Sequence, residues 1–169
     1  MFVRDAGGAT FWRGIAADWV IPGDFDRRRV LVPASIGAMA ATRVEETTED
    51  EIMFYDTDVG GVVHNIAYLR MIERCRTKLA GQLGFDLSTM AESQVYPVVV
   101  RTEIDYRKPA RLADVVQTRG WLDEWGRVRF WCAFEMRRPD DGALLITCRQ
   151  QLAVVQMPDG RPLRLEPRG

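Results

Sequence analysis

The chain has 169 residues and a mass of 19.3 kDa, with 47% apolar and 28% charged residues, which suits a single globular domain with a real core. Its formal net charge of −1 supplies no global field toward nucleic acid or an anionic membrane. No stretch reaches the ~18–20 apolar residues of a membrane-spanning helix. Apart from Lys78 and Lys108 the positive charge is all arginine, a bias that a high-GC genome or a phosphate-binding role would equally produce. Cys75, Cys132 and Cys148 are widely spaced and lack a CxxC pair, which points to free thiols in a reducing cytosol.

Residues 1–43 differ in texture from the remainder of the chain. They carry Gly7-Gly8, Pro22-Gly23 and a mixed-charge cluster from Asp24 to Arg29. Phe11 to Val20 reads as a short amphipathic helix and Arg29 to Val32 as a short strand. Asp18 and Pro22 interrupt the early apolar stretch, so the order of a secretory signal is missing. Met39-Ala40-Ala41 resembles a translation start. Two readings therefore stand for this extension: part of it lies outside the working protein, or it packs over a sheet edge or an oligomer contact.

From Val44 onward the patterning is sharper. Glu51 to Tyr55 reads as a strand. Ile66 to Leu83 reads as a helix, because Leu69, Ile72, Cys75, Leu79 and Leu83 recur at three- and four-residue steps, with Asn65 as N-cap and Gly84 as its stop. Four strands follow with period-two alternation: one through Val98–Tyr106, one over Asp114 to Glu124, one from Arg127 to Arg137, and one from Leu144 to Val155. Pro139-Asp140-Asp141-Gly142 is a turn between the last two. An antiparallel sheet with one dry face and one long helix to cover it is the economical packing, an α+β class.

The chemistry concentrates between Phe54 and Arg76. Asp56 and Asp58 are followed by Gly60-Gly61 and then by the helix, which puts a carboxylate on a loop in front of a helix N-terminus. Aspartate side chains ionise well below neutral pH and serve as base or nucleophile. The glycines allow a sharp turn and close approach of a ligand. Free N–H groups at the helix start carry partial positive charge where an oxyanion forms. A turn-shaping role for both aspartates accounts for the same spacing equally well. Several other chemistries have no support: there is no GxSxG elbow, no Walker loop and no GxGxxG. One histidine and isolated cysteines do not make an ordinary zinc site, and no cofactor motif is found.

The run Asp-Thr-Asp-x-x-Gly-Val-Val, then Tyr68-Leu69 and Glu73-Arg74-x-Arg76, resembles the 4-hydroxybenzoyl-CoA thioesterase family of acyl-CoA thioesterases, in particular its Tol–Pal-associated branch. Tyr106-Arg107-Lys108-Pro109-Ala110-Arg111 extends the likeness, which covers about Val44 to Gln156. The resemblance implies a hotdog fold, a curved antiparallel sheet wrapped around one long central helix, over 44–157. That leaves 1–43 as an extension and 158–169 as a tail. It also implies a homodimer or dimer of dimers with sites at the subunit interface, an acyl-CoA substrate, and a cytoplasmic setting. Asp58 maps to the catalytic carboxylate and the Asn65 N–H to the carbonyl-polarising donor, with Asp56 structural. Many relatives carry tyrosine then histidine where this chain has His64 and Asn65, so the histidine is displaced by one residue; His64 stands as a candidate for substrate contact or for a structural role. Gly61, Val62 and Tyr68 are further candidates for substrate binding. Arg107, Lys108 and Arg111 are candidates for the phosphates of coenzyme A, or form a solvated turn. Glu73 is expected to pair with Arg70 or Arg76. Release of an acyl group from a carrier protein, and a non-catalytic acyl-CoA-binding module, are the alternatives on the same fold.

Overall fold

The computed structural model describes residues 44–165 and two short N-terminal strands, β1 (Phe2–Arg4) and β2 (Thr10–Trp12), which pair antiparallel. Of the helix expected over Phe11 to Val20, only Phe11 and Trp12 are described, and they lie in β2. The strand expected at Arg29 to Val32 lies outside the described residues.

The main element order is β3 (Glu45–Glu51), a 3₁₀ turn (Phe54–Asp56), α1 (Asn65–Gln82), α2 (Leu87–Ser93), then β4 (Val95–Tyr106), β5 (Val115–Trp125), β6 (Arg129–Arg138), β7 (Ala143–Gln156) and β8 (Arg161–Pro162). The strands form one antiparallel sheet in the order β3-β5-β6-β7-β4, with β8 against the end of β7. This curled sheet with one long helix against it is the hotdog architecture.

The inner face is built by alternation. Phe130, Cys132, Phe134 and Met136 of β6 lie beside Ile146, Cys148, Leu152 and Val154 of β7, all buried. Across them α1 buries Ala67, Tyr68, Met71, Ile72, Cys75 and Leu79. Each large aliphatic side chain so buried contributes about 1.5–3 kcal/mol. Gly120 lets the helix approach, because a Cβ there would sit 2.7 Å from the Phe134 ring and 3.0 Å from Cys75 Sγ. Cys75, Cys132 and Cys148 are free and buried. Burial pushes their thiols up to about 11, about 12 and about 12 respectively, so none is a ready thiolate nucleophile.

One expected strand is corrected here. The strand before the aspartate loop is Glu45–Glu51, earlier than Glu51 to Tyr55, because β3 is recruited by pairing along β5 from Glu45↔Trp121 to Glu51↔Val115. α2 had no apolar period to reveal it, having no buried residue; Asp86 caps it by accepting from Thr89 N–H at 3.0 Å. Beyond Gln156, Leu163 N–H donates to Val154 O at 2.8 Å and Leu165 is fully buried. No helix among the described residues is long and apolar enough to cross a membrane.

The two sheet edges differ. β3 is acidic along its length, whereas β4 exposes Val98, Val99, Val100 and Tyr106.

Candidate active site

β3 delivers the chain through Ile52 and Met53 into the 3₁₀ turn, which Thr57 closes by donating its hydroxyl to Phe54 O at 2.8 Å. Asp56 points inward and is 2% exposed. Its carboxylate accepts from Met53 N–H at 3.1 Å and pairs with the Arg70 guanidinium, which also lies 5.6 Å over the Tyr55 ring. A buried carboxylate needs such partners, and this one turns away from the surface.

Two residues later the geometry reverses. Thr57 bridges Val63, and inside that bridge Asp58 N–H donates to Val62 O at 2.9 Å while Gly61 N–H donates to Asp58 O at 2.9 Å. Gly61 takes φ +71°, a conformation costly for other residues. The result is a tight hairpin that holds Asp58 at the surface. Its Oδ1 accepts from Gly60 N–H at 2.8 Å, and a Cβ at Gly60 would come within 3.1 Å of that oxygen. The carboxylate is therefore oriented by the backbone and remains open on its other side.

Asp58 stands at the rim of an open depression of about 500 Å³, lined by Phe54, Thr57, Asp58, Val59, Gly61 and Leu112. Phe54, Val59 and Leu112 give it an apolar wall, and all three are well exposed.

Helix α1 begins beside this loop. The expected N-cap is corrected: His64 caps the helix and Asn65 is its first residue. The His64 Nδ1 accepts from Ala67 N–H at 3.1 Å, and an imidazole nitrogen does this as well as an asparagine oxygen. With Ala67 engaged, the Asn65 and Ile66 N–H groups have no backbone or side-chain acceptor among the described residues. They are the free donors of the helix start.

A second segment closes in from the β4–β5 turn. Val63 N–H donates to Ala110 O at 2.9 Å and Val62 bridges Arg111. From below, Ala110 N–H donates to the Tyr68 hydroxyl at 2.8 Å. Ile52 is hydrogen-bonded to both Ala113 and Asp114, and Ala113 is held at φ +65°. Asp114 accepts from Arg111 N–H at 2.9 Å and from Arg138 at 2.8 Å. Hydrogen bonds donated to Asp141 and then to Asp114 raise the Arg138 guanidinium above its usual range.

The structure thus brings together Asp58, Gly61, Asn65 and Arg111 of the expected site residues. Val62 serves through its backbone and does not line the depression. Tyr68 is 3% exposed and supports the Ala110 turn from beneath, so it offers a substrate no surface. Burial raises its phenol, partly offset by the Ala110 hydrogen bond. Arg107 lies along Asp105 at 3.9 Å and donates to Thr147 at 3.4 Å. Lys108 and Arg111 are exposed and make no ion pair among the described residues. Glu73 pairs with Arg76 at 3.4 Å, while Arg70 is committed to Asp56. Sequence reasoning missed Phe54, Val59 and Leu112; only Val59, apolar in the middle of a polar loop, carried a visible signal.

With that geometry in hand, the likeness to known proteins is informative. Residues 52–168 match the model of the thioesterase-like superfamily. The chain belongs to that superfamily. It is 38% identical over 74 residues to the acyl-CoA thioesterase YbgC of Haemophilus influenzae, covering 43% of this chain and 54% of that protein. It is 29% identical over 91 residues to the putative acyl-CoA thioesterase YneP of Bacillus subtilis, covering 54% and 66%. The match thus spans about half the length of YbgC. Among solved structures, a probable thioesterase from Bartonella henselae superposes with a TM-score of 0.65 at 23% identity, over 72% of this chain and 99% of that one. The DHNA-CoA thioesterase from Staphylococcus aureus superposes at 0.66 and 24%, over 72% and 80%. At such identities these two show a shared fold.

Proposed function

We propose that this member of the thioesterase-like superfamily hydrolyses acyl-CoA thioesters, with Asp58 as the reacting carboxylate and the Asn65 N–H as the oxyanion donor. One observation carries the reading: a backbone-oriented, solvent-open Asp58 beside a helix start whose first N–H groups are free. A preorganised donor of that kind is worth roughly 3–4 kcal/mol in the transition state. Asp58 either takes a proton from water as the resulting hydroxide adds to the carbonyl carbon, or adds to that carbon itself to form an anhydride that water then opens. In both routes the C–S bond breaks, and the departing thiolate takes up a proton.

Arg111, Lys108 and Arg107 are assigned to the pyrophosphate and 3′-phosphate of CoA, since they cluster at the turn stitched to the Asp58 hairpin. Phe54, Val59, Gly61 and Leu112 face the acyl group. We assign the chain to the Tol–Pal-associated branch on its Asp-Thr-Asp motif, and to the cytoplasm on its buried free thiols. A dimer formed through β4 is favoured by the edges: acidic β3 is protected from pairing by its charge, whereas the valine-rich β4 is not. A dimer of dimers is a further packing of the same unit.

The test is thiol release from short, long and aromatic acyl-CoAs, with Asp58→Asn alongside. Turnover that falls by at least 100-fold in a folded Asp58→Asn variant is expected. Undiminished turnover in that variant removes Asp58 from the role. Hydrolysis of carrier-protein thioesters alone, or tight acyl-CoA binding without turnover, replaces the CoA-ester reading.

A further inference from the structure

We infer that His64, the chain's only histidine, is a positioning residue that braces the Asp58 loop against α1 and makes no contact with substrate; this rests on the thioesterase reading above. Its imidazole is fully engaged. Nδ1 accepts from Ala67 N–H at 3.1 Å, so Nδ1 carries no proton. The proton is then on Nε2, which lies 3.2 Å from Tyr55 O and donates to it. Neither ring nitrogen retains a lone pair or a proton for a thioester.

The two partners lie at opposite ends of the reactive loop. Tyr55 is in the turn by which the chain enters it, and Ala67 is in the first turn of the helix by which the chain leaves. Between them runs the hairpin that presents Asp58, closed at its base by the Thr57–Val63 bridge. The His64 backbone adds to the tie, its N–H donating to Asp56 O at 2.9 Å. One side chain therefore sets the distance between the carboxylate's loop and the helix start that holds the oxyanion donor. Engaging Ala67 also leaves the Asn65 and Ile66 N–H groups as the free pair. A serine or asparagine at this position caps the helix but does not reach Tyr55.

Two replacements separate the contacts. In His64→Asn the side-chain oxygen stands where Nδ1 stood, which keeps the cap and loses Tyr55. In His64→Gln the amide nitrogen is as many bonds from Cβ as Nε2 is, which keeps the Tyr55 contact. The expected result is kcat about tenfold lower in His64→Ala and His64→Asn, KM within about twofold, and most of the loss recovered in His64→Gln. Wild-type kcat in His64→Ala, with only a lowered Tm, reduces His64 to a helix cap and overturns the inference. A large rise in KM at unchanged kcat makes it a substrate contact and overturns it equally. A further readout needs no turnover and no variant: the single imidazole in a ¹H–¹⁵N spectrum of the intact protein should show the neutral Nε2–H tautomer. An Nδ1–H form or an exchanging mixture refutes the brace. Absence of wild-type turnover on every thioester, with that tautomer present, strikes the thioesterase reading and leaves the brace standing.

Discussion

Replacing Tyr68 by Phe removes one oxygen and tests whether the site's second wall is held from beneath. That hydroxyl accepts the Ala110 N–H at 2.8 Å, and Ala110 is fully buried, so no water takes its place. The variant leaves a buried donor unsatisfied, at a cost of about 1–3 kcal/mol. The ring stays, with its edge-on contact to Tyr106 at 5.9 Å between centroids, so no cavity larger than the oxygen opens. For a domain of this size the cost lowers Tm by roughly 2–10 °C. The functional effect is specific, because Ala110 also accepts from Val63 and precedes Arg111. Loosening it displaces the turn proposed above to bind the CoA phosphates, while Asp58 keeps its own contacts to Gly60, Gly61 and Val62. KM for acyl-CoA should therefore rise a few-fold with kcat within about twofold, measured by thiol release at a temperature where the variant is folded, beside a thermal melt. A Tyr68→Phe protein as stable as the parent refutes the reasoning, since the hydroxyl would then not be an obligatory partner.

Gly60→Ala places a Cβ about 3 Å from Asp58 Oδ1, so the carboxylate must turn; kcat should fall by about 10–100-fold with the far-ultraviolet dichroism spectrum unchanged, and a fully active variant disproves the orienting contact. Alkaline stability is governed by the thiols and phenols. Cys75, Cys132 and Cys148 rise from an unfolded value of 9.0 to about 11, about 12 and about 12, and Tyr68 and Tyr106 also rise above 10.0, all chiefly by burial. Folded values above unfolded ones mean that stability is fully present below about pH 9 and is lost as pH climbs toward 12. Urea melts from pH 7 to 11 measure this, and a midpoint that does not fall above pH 9 contradicts it.

How much of this was legible in the sequence depended on whether a residue's role is set by its neighbours in the chain. α1 was legible because apolar residues recur at three- and four-residue steps from Leu69 through Ile72, Cys75 and Leu79 to Leu83. β6 and β7 were legible because their alternation is sustained, as in Phe130, Cys132, Phe134 and Met136. β3 was not, since in Glu-Glu-Thr-Thr-Glu-Asp-Glu only Thr48 is buried and the segment is a strand by virtue of its neighbour β5. The Asp58 loop announced itself through residue types, yet the division of labour within it did not. That Asp56 turns inward is due to Arg70, which lies 14 residues away, and that Tyr68 is a support is due to Ala110, 42 residues away. The exchange of roles between His64 and Asn65 depends on a ring orientation that spacing does not encode.

The same separation explains why the site tolerates an exposed acid. The two aspartates of the motif are two residues apart, but their surroundings give them opposite exposure and different partners. Asp56 is satisfied by a guanidinium and a backbone N–H and is removed from solvent. Asp58 is satisfied on one oxygen only, by a glycine whose lack of a side chain permits the contact. An exposed carboxylate on a flexible loop loses its orientation to entropy. Here the hairpin hydrogen bonds, the Thr57–Val63 bridge and the His64 brace meet that entropic cost when the protein folds, before any substrate arrives. The buried aspartate is thus the anchor that permits its neighbour to stay open, and the two cannot exchange roles without moving the hairpin.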